Sequence, residues 1–182
     1  PNAKKIFVDI DSNEWHKNHK IYNQFVQMDC KYFIQELIKE LDEKTYCKLE
    51  WINYCNKIKQ EYPLLEKNHI DGGLNYLNSY YFIDKICNYL KDDQVIVTDM
   101  GTALLSGHYS IKLKPNQIMF TSLGLGEMGY GLPGAIGASF AGPNRQILCL
   151  NCDGGMMMNL QELQTIIHHK LPIKIIVFNN DG

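Results

Sequence analysis

Apolar residues fall into two patterns along this chain. Short, nearly unbroken runs at residues 5–10, 94–98, 116–122, 146–151 and 173–178 predict strands. Between them lie segments with helical spacing. Phe33, Leu37, Ile38 and Leu41 recur on one side of 32–41, and Phe82, Ile83, Ile86 and Leu90 on one side of 81–90. Residues 132–141 predict a helix of small residues opened by Leu132-Pro133, with proline suited to the first turn. Residues 160–169 predict another. A mixed amphipathic stretch at 43–63 sets Trp51, Ile52, Tyr54, Ile58 and Tyr62 along one helical face. Asp71-Gly72-Gly73 is a loop signal and a boundary. Strands apolar on both faces, alternating with helices, predict an α/β fold: a parallel sheet with helices on both faces.

Composition narrows the chemistry. The formal net charge of -2 gives no basic surface for nucleic acid. Basic residues are almost all lysine, with Arg145 the single arginine, so a bound phosphate has no set of bidentate guanidinium forks to rely on. It needs a metal, backbone amides or a helix N-terminus instead. Six cysteines show neither CxxC nor zinc spacing and suit a reducing, cytoplasmic setting. No apolar stretch is long enough for a membrane helix. The chain opens without methionine and stops after an apolar strand, which reads as a piece of a longer protein.

In parallel α/β sheets, ligands sit beyond the carboxyl ends of the strands. Three such ends carry informative residues: Asp99-Met-Gly-Thr102, Asp153-Gly-Gly155 and Asn179-Asn-Asp-Gly182. Asp153 follows one strand, Asn180 follows the next, and a strand-helix-strand crossover sets those ends side by side. Carboxylate, amide oxygen and backbone carbonyl are hard ligands that suit magnesium. Gly154 and Gly155 allow close approach of backbone to a phosphate, and a helix beginning near Met157 is expected to aim its amides there. The combination predicts a site for magnesium and a diphosphate. As single features, Asp153 is a helix cap and Asn179-Asn180 a turn.

The run from Cys152-Asp-Gly-Gly through Asn179-Asn180 resembles the signature of thiamine-diphosphate enzymes, which opens Gly-Asp-Gly and closes Asn-Asn. Gly124-Leu-Gly-Glu-Met-Gly-Tyr-Gly-Leu-Pro133 is similar to the loop of their acetolactate synthase branch. The resemblance implies that 76–182 is a truncated C-terminal domain of the thiamine-diphosphate-binding fold. Residues 1–42 would be the tail of a central α/β domain and 43–75 a linker. It implies that Asp153, Asn180 and the Gly182 carbonyl hold Mg2+. Gly154 and Gly155, with Gly101 and Thr102, would hold the diphosphate of thiamine diphosphate. Met128 would support the thiazolium in a bent cofactor, and the Gly126 carbonyl and Met128 amide would bind the aminopyrimidine edge.

The activity so implied is decarboxylation of a 2-oxo acid, with transfer of the acyl carbanion to a second carbonyl. The activating glutamate of that family lies in an N-terminal domain outside this chain, so no catalytic residue is assigned here and the segment alone is expected to be inactive. A homodimer or homotetramer is implied, with no membrane or nucleic-acid partner. Two departures stand out. Cys152 replaces the first glycine of the signature, and Gly101-Thr-Ala-Leu104 replaces Gly-Gln-His-Gln, nearer to the Gly-Thr of simple 2-oxo acid decarboxylases. Two other readings compete: a dinucleotide-binding domain through Gly124-x-Gly126-x-x-Gly129, and a non-catalytic scaffold. His16 and His19 read as surface residues, and His168 and His169 close a helix, where they face its negative end. His108 follows the Gly101 loop and is assigned no role.

Overall fold

The computed structural model describes residues 3–41, 48–70 and 76–180. The chain divides into two compact units, residues 1–58 and 59–182. In the first, strand β1 (Ile6–Asp9), helix α1 (Ser12–Asn18), strand β2 (Gln24–Gln27) and helix α2 (Cys30–Glu40) follow in order, and the two strands pair in parallel. Asp11 and Asp29 cap the two helices by accepting the Asn13 and Lys31 amides. Phe7 stacks on Tyr22 and Trp15 on Phe25. Helix α1 and strand β2 lie in a stretch that reads as merely polar, because their apolar residues are too few to show a period. Helix α3 (Leu49–Glu61) covers most of the amphipathic stretch, leaving Tyr62 just beyond it, and its Trp51, Ile52, Tyr54 and Ile58 are exposed. Asp71-Gly72-Gly73 lies outside the described residues.

The second unit adds a short helix α4 (Lys67–Ile70) and then α5 (Ser79–Ile86), strand β3 (Val95–Thr98), α6 (Thr102–Ser110), β4 (Ile118–Phe120), α7 (Gly131–Ala141), β5 (Ile147–Cys152), α8 (Asp153–Met158), α9 (Leu163–His169) and β6 (Ile173–Phe178). Its four strands run parallel in the order β4-β3-β5-β6. Side chains alternate between the two faces, as strand geometry demands. Ile96, Leu148 and Leu150 pack with Ile83 and Ala103 on the α5 and α6 side. Val95, Val97, Ile147 and Cys149 pack with Ala135 of α7 on the other. The sheet is therefore covered on both faces, as its doubly apolar strands predict.

Small residues let the helices sit close. A Cβ at Gly107 of α6 would lie 3.1 Å from the Thr98 methyl, and one at Gly134 of α7 would lie 3.2 Å from Val97. Helix α6 gives little sequence signal for the same reason: its buried face is made of Ala103, Ser106, Gly107 and Ser110, whereas Leu105 and Tyr109 are exposed, so no apolar stripe marks the inward side. The helix expected to begin near Met157 instead begins at Asp153, directly after β5, and is followed by a tight 3-10 turn at Leu160–Glu162 before α9. Two glycines next to three methionines disguise that start, since glycine is a poor helix former.

Candidate functional site

From β3 the chain steps through α6 to β4 on one side, and β5 lies on the other side of β3. The gap between the carboxyl ends of β3 and β5 is thus a point where the strand order reverses, the place where open parallel sheets leave a crevice for ligands. Gly101 and Thr102 stand at one lip of it, and Cys152, Asp153 and Gly154 at the other. Gly101 has φ +83°, which glycine adopts freely, and this backbone sets the start of α6.

Asp153 is half-buried at the first turn of α8. Its Oδ1 accepts from its neighbour Gly154 at 2.8 Å, and its Oδ2 accepts the amide of Asn180 at 3.3 Å. The two residues expected to come together across the β5-to-β6 crossover are therefore in direct contact. Helix α8 has six residues, so what faces the crevice is a set of individual amides and not the end of a long dipole. A cleft of about 660 Å3 opens beside Asn180; Thr102, Phe82 and Phe178 line it with Asn179 and Asn180. Gly182 lies outside the described residues.

Beyond β4 the chain forms the glycine-rich loop. It turns at Ser122, whose carbonyl accepts the Gly126 amide at 3.0 Å, and Gly126 takes φ +70°. Met128 is 51% exposed, and its terminal methyl lies 3.0 Å from where a Cβ of Gly154 would stand. The loop closes at Gly129, φ +88°, on the carboxylate of Asp99. Asp99 is fully buried and accepts the Gly129 amide at 2.9 and 3.2 Å and the Gly131 amide at 3.4 Å.

Asp99, which stands at an informative strand end in the sequence but has no role assigned from it, is the anchor of this loop. Its signal was a carboxylate directly after the apolar run Val-Ile-Val-Thr, at a strand end. Its position also explains Gly155, whose missing Cβ makes room for the Asp99 carboxylate, whereas the missing Cβ of Gly154 makes room for Met128.

Cys152 has φ -107° and ψ 160°, an extended backbone open to any residue, so the signature's glycine is not needed here for conformation. Its thiol accepts the Ala103 amide at 3.3 Å, and burial pushes its pKa up. Arg145 precedes β5 and Cys152 ends it, and the guanidinium has a different role. It donates to the Asp93 carbonyl at 2.6 Å and the Asn116 carbonyl at 2.7 Å, joining the segments that lead into β3 and β4. His108 meets Thr98 at 3.3 Å, and partial burial lowers its pKa. His19 binds the His16 carbonyl at 2.8 Å, and His169 packs edge-on against Phe140 and His168.

Among the described residues no group of three or more His, Cys, Asp or Glu is set to hold a metal ion. The donors at hand are one carboxylate and one side-chain amide, hard oxygen ligands that match magnesium, which takes few protein ligands and completes its shell from phosphate and water. Zinc or iron would need softer or more numerous ligands. The crevice therefore fits magnesium with a diphosphate. It fits a dinucleotide poorly, because the amides at Gly129 and at the start of α7 are already engaged by Asp99.

Comparison with known proteins agrees. Residues 99–182 match the family described as thiamine pyrophosphate enzyme, C-terminal TPP binding domain. Over that segment the chain is similar to the C-terminal cofactor-binding domain of thiamine pyrophosphate enzymes. Over nearly its whole length it is similar to part of several acetolactate synthases. The isozyme 1 large subunit of Escherichia coli (strain K12) is 35% identical over 182 residues, covering 100% of this chain and 31% of that protein. The chloroplastic acetolactate synthase of Arabidopsis thaliana is 37% identical, over 98% of this chain and 26% of its own length. The probable large subunit of Methanococcus aeolicus is 32% identical, over 98% and 32% respectively. The chain spans about a third of the length of such relatives.

Proposed function

We propose that this chain is the part of an acetolactate synthase-like enzyme that holds thiamine diphosphate through Mg2+. Residues 76–182 form the cofactor-binding domain, 43–75 a linker, and 1–42 the tail of a preceding domain. The observation that carries the reading is the contact of Asp153 with Asn180 at the crevice where the strand order reverses.

When bound, thiamine diphosphate supplies the nucleophilic carbon with which such enzymes cleave a 2-oxo acid next to its carbonyl. The chain's own part is binding and orientation. Asp153, Asn180 and Gly182 would hold the metal, and backbone groups of Gly101, Thr102, Gly154 and Gly155 would hold the diphosphate without arginine. Met128 and Gly126 fix the rings. A second subunit brings the glutamate that activates the cofactor, so the working form is a homodimer or homotetramer, and a 2-oxo acid is the substrate. Transfer of the acyl group to a second carbonyl follows the relatives' pattern, whereas Gly101-Thr102 favours simple decarboxylation at the same site. Free thiols at Cys30, Cys55, Cys87, Cys149 and Cys152 support a cytoplasmic setting.

The test is calorimetric titration of thiamine diphosphate into the full natural chain, with and without magnesium, beside NAD and an Asp153→Ala variant. Binding that requires both magnesium and Asp153 supports the reading. Metal-independent NAD binding, or thiamine diphosphate binding unchanged in the variant, overturns it.

A further inference from the structure

Gly129 is held on both sides. Its amide donates to the buried Asp99 carboxylate at 2.9 Å, and its carbonyl accepts the side-chain amide of Asn159 at 2.7 Å. The two holding groups come from different strand ends: Asp99 follows β3, and Asn159 ends α8, the helix that carries Asp153. No side chain is tolerated between them, since a Cβ at Gly129 would lie 2.7 Å from that of Met158 and 2.9 Å from the Asn159 amide nitrogen. Gly129 is buried, yet the residue before it, Met128, is 51% exposed and reaches Gly154. Fixing the Gly129 backbone fixes where the Met128 side chain leaves the loop.

We propose that Asp99 and Asn159 are positioning residues that lock the Gly129 backbone so that Met128 stands over the diphosphate turn at Gly154. The inference rests on the cofactor reading above and names the device that sets its ring platform. Two side chains with opposite polarity do this work, an acceptor for the amide and a donor for the carbonyl. Because Asn159 caps the C-terminal end of the helix that begins at Asp153, the metal end and the ring end of the site are held in one register. A glycine-rich loop anchored at one point would leave Met128 free to swing; anchored through both polar groups of one residue it cannot.

The test uses the full natural chain and two probes, each with magnesium: thiamine diphosphate, which needs both the cradle and the platform, and inorganic diphosphate, which needs the cradle alone. Asn159→Asp is isosteric but sets an acceptor against the Gly129 carbonyl. It is expected to weaken thiamine diphosphate at least tenfold and inorganic diphosphate less than twofold. Met128→Ala should give the same split, and the double variant should be no worse than Met128→Ala, because the two act as one unit. Asp99→Asn should follow Asn159→Asp if it folds; the half-buried Asn159 carries the test if it does not. Equal weakening of both probes, or additive losses in the double variant, would overturn the proposal, as would unchanged thiamine diphosphate affinity in Asn159→Asp. A parent protein that binds neither probe would overturn the cofactor reading and the proposal with it.

Discussion

A Cβ atom placed on Gly155 would fall 1.6 Å from Oδ2 of Asp99. The second glycine after Asp153 is therefore set by a carboxylate on the neighbouring strand. Gly155→Ala must displace either Asp99, which releases the glycine-rich loop, or α8, which carries Asp153. Overpacking of this kind costs about 3 kcal/mol. Urea unfolding of the full natural chain should show that loss, and an unchanged midpoint would refute the packing described here. Gly137 offers the contrast. It lies within α7 with nothing within 4 Å of its would-be Cβ, so Gly137→Ala should raise stability by about 0.5–1 kcal/mol through helix propensity.

Much of this arrangement was legible in the sequence. The strands stood out because burial on both faces makes each a nearly unbroken apolar run, and β6 matches its expected bounds of 173–178 residue for residue. Asp153 and Asn180 were legible as a pair because strand ends in a parallel sheet must adjoin. What escaped was anything whose signal is small or solitary. Helix α6 packs through alanine, serine and glycine, so no stripe announces it. Asp99 is a single carboxylate whose partners are the backbone amides of Gly129 and Gly131, and an amide leaves no mark on the sequence. Asn159 is invisible for the same reason, being bound to a carbonyl 30 residues away.

Cys149 lies in the centre of β5 with no exposure, and burial, reinforced by the Asp99 charge, pushes its pKa up to about 12 from an ordinary 9.0. A thiol whose folded pKa is raised stabilises the fold fully below its unfolded value. That contribution declines as pH rises from 9 toward 12, by about 1.4 kcal/mol per pH unit. Cys149→Ala should lower stability at neutral pH, because it leaves a cavity, yet flatten the alkaline decline relative to the parent. Unfolding curves for both proteins at pH 8, 9.5 and 10.5 would show it; parallel declines would place the alkaline loss elsewhere.

The one arginine is predicted to matter for stability and not for anion binding. Arg145 spends its guanidinium on the carbonyls of Asp93 and Asn116. Lysine presents one rotatable ammonium and cannot reproduce a fixed fork. Arg145→Lys should cost about 1 kcal/mol in thermal or urea unfolding. Magnesium-dependent affinity for inorganic diphosphate should stay within about twofold, roughly 0.4 kcal/mol. A larger drop in affinity would mean that the crevice senses this side chain.

Cys152 joins fold to site most directly, because its thiol takes the Ala103 amide, one of the first-turn donors of α6 that have no partner within the helix. Sulfur is a weak acceptor, and the amide it occupies is of the kind that otherwise cradles phosphate. Cys152→Gly restores the residue of the family signature, and the extended backbone at 152 does not require it. Two opposed effects should follow. Without ligand the protein loses about 1 kcal/mol, from the chain entropy of glycine and the lost thiol contact. With ligand, the released amide can meet a diphosphate oxygen, improving affinity for inorganic diphosphate by about 0.5–1 kcal/mol, roughly two- to fivefold. Cys152→Ser, which keeps an acceptor at the position, should change neither by more than about 0.5 kcal/mol. Calorimetry for affinity and urea unfolding for stability separate the two effects. If Cys152→Gly binds more weakly than the parent, the thiol supports the cradle and does not compete with it.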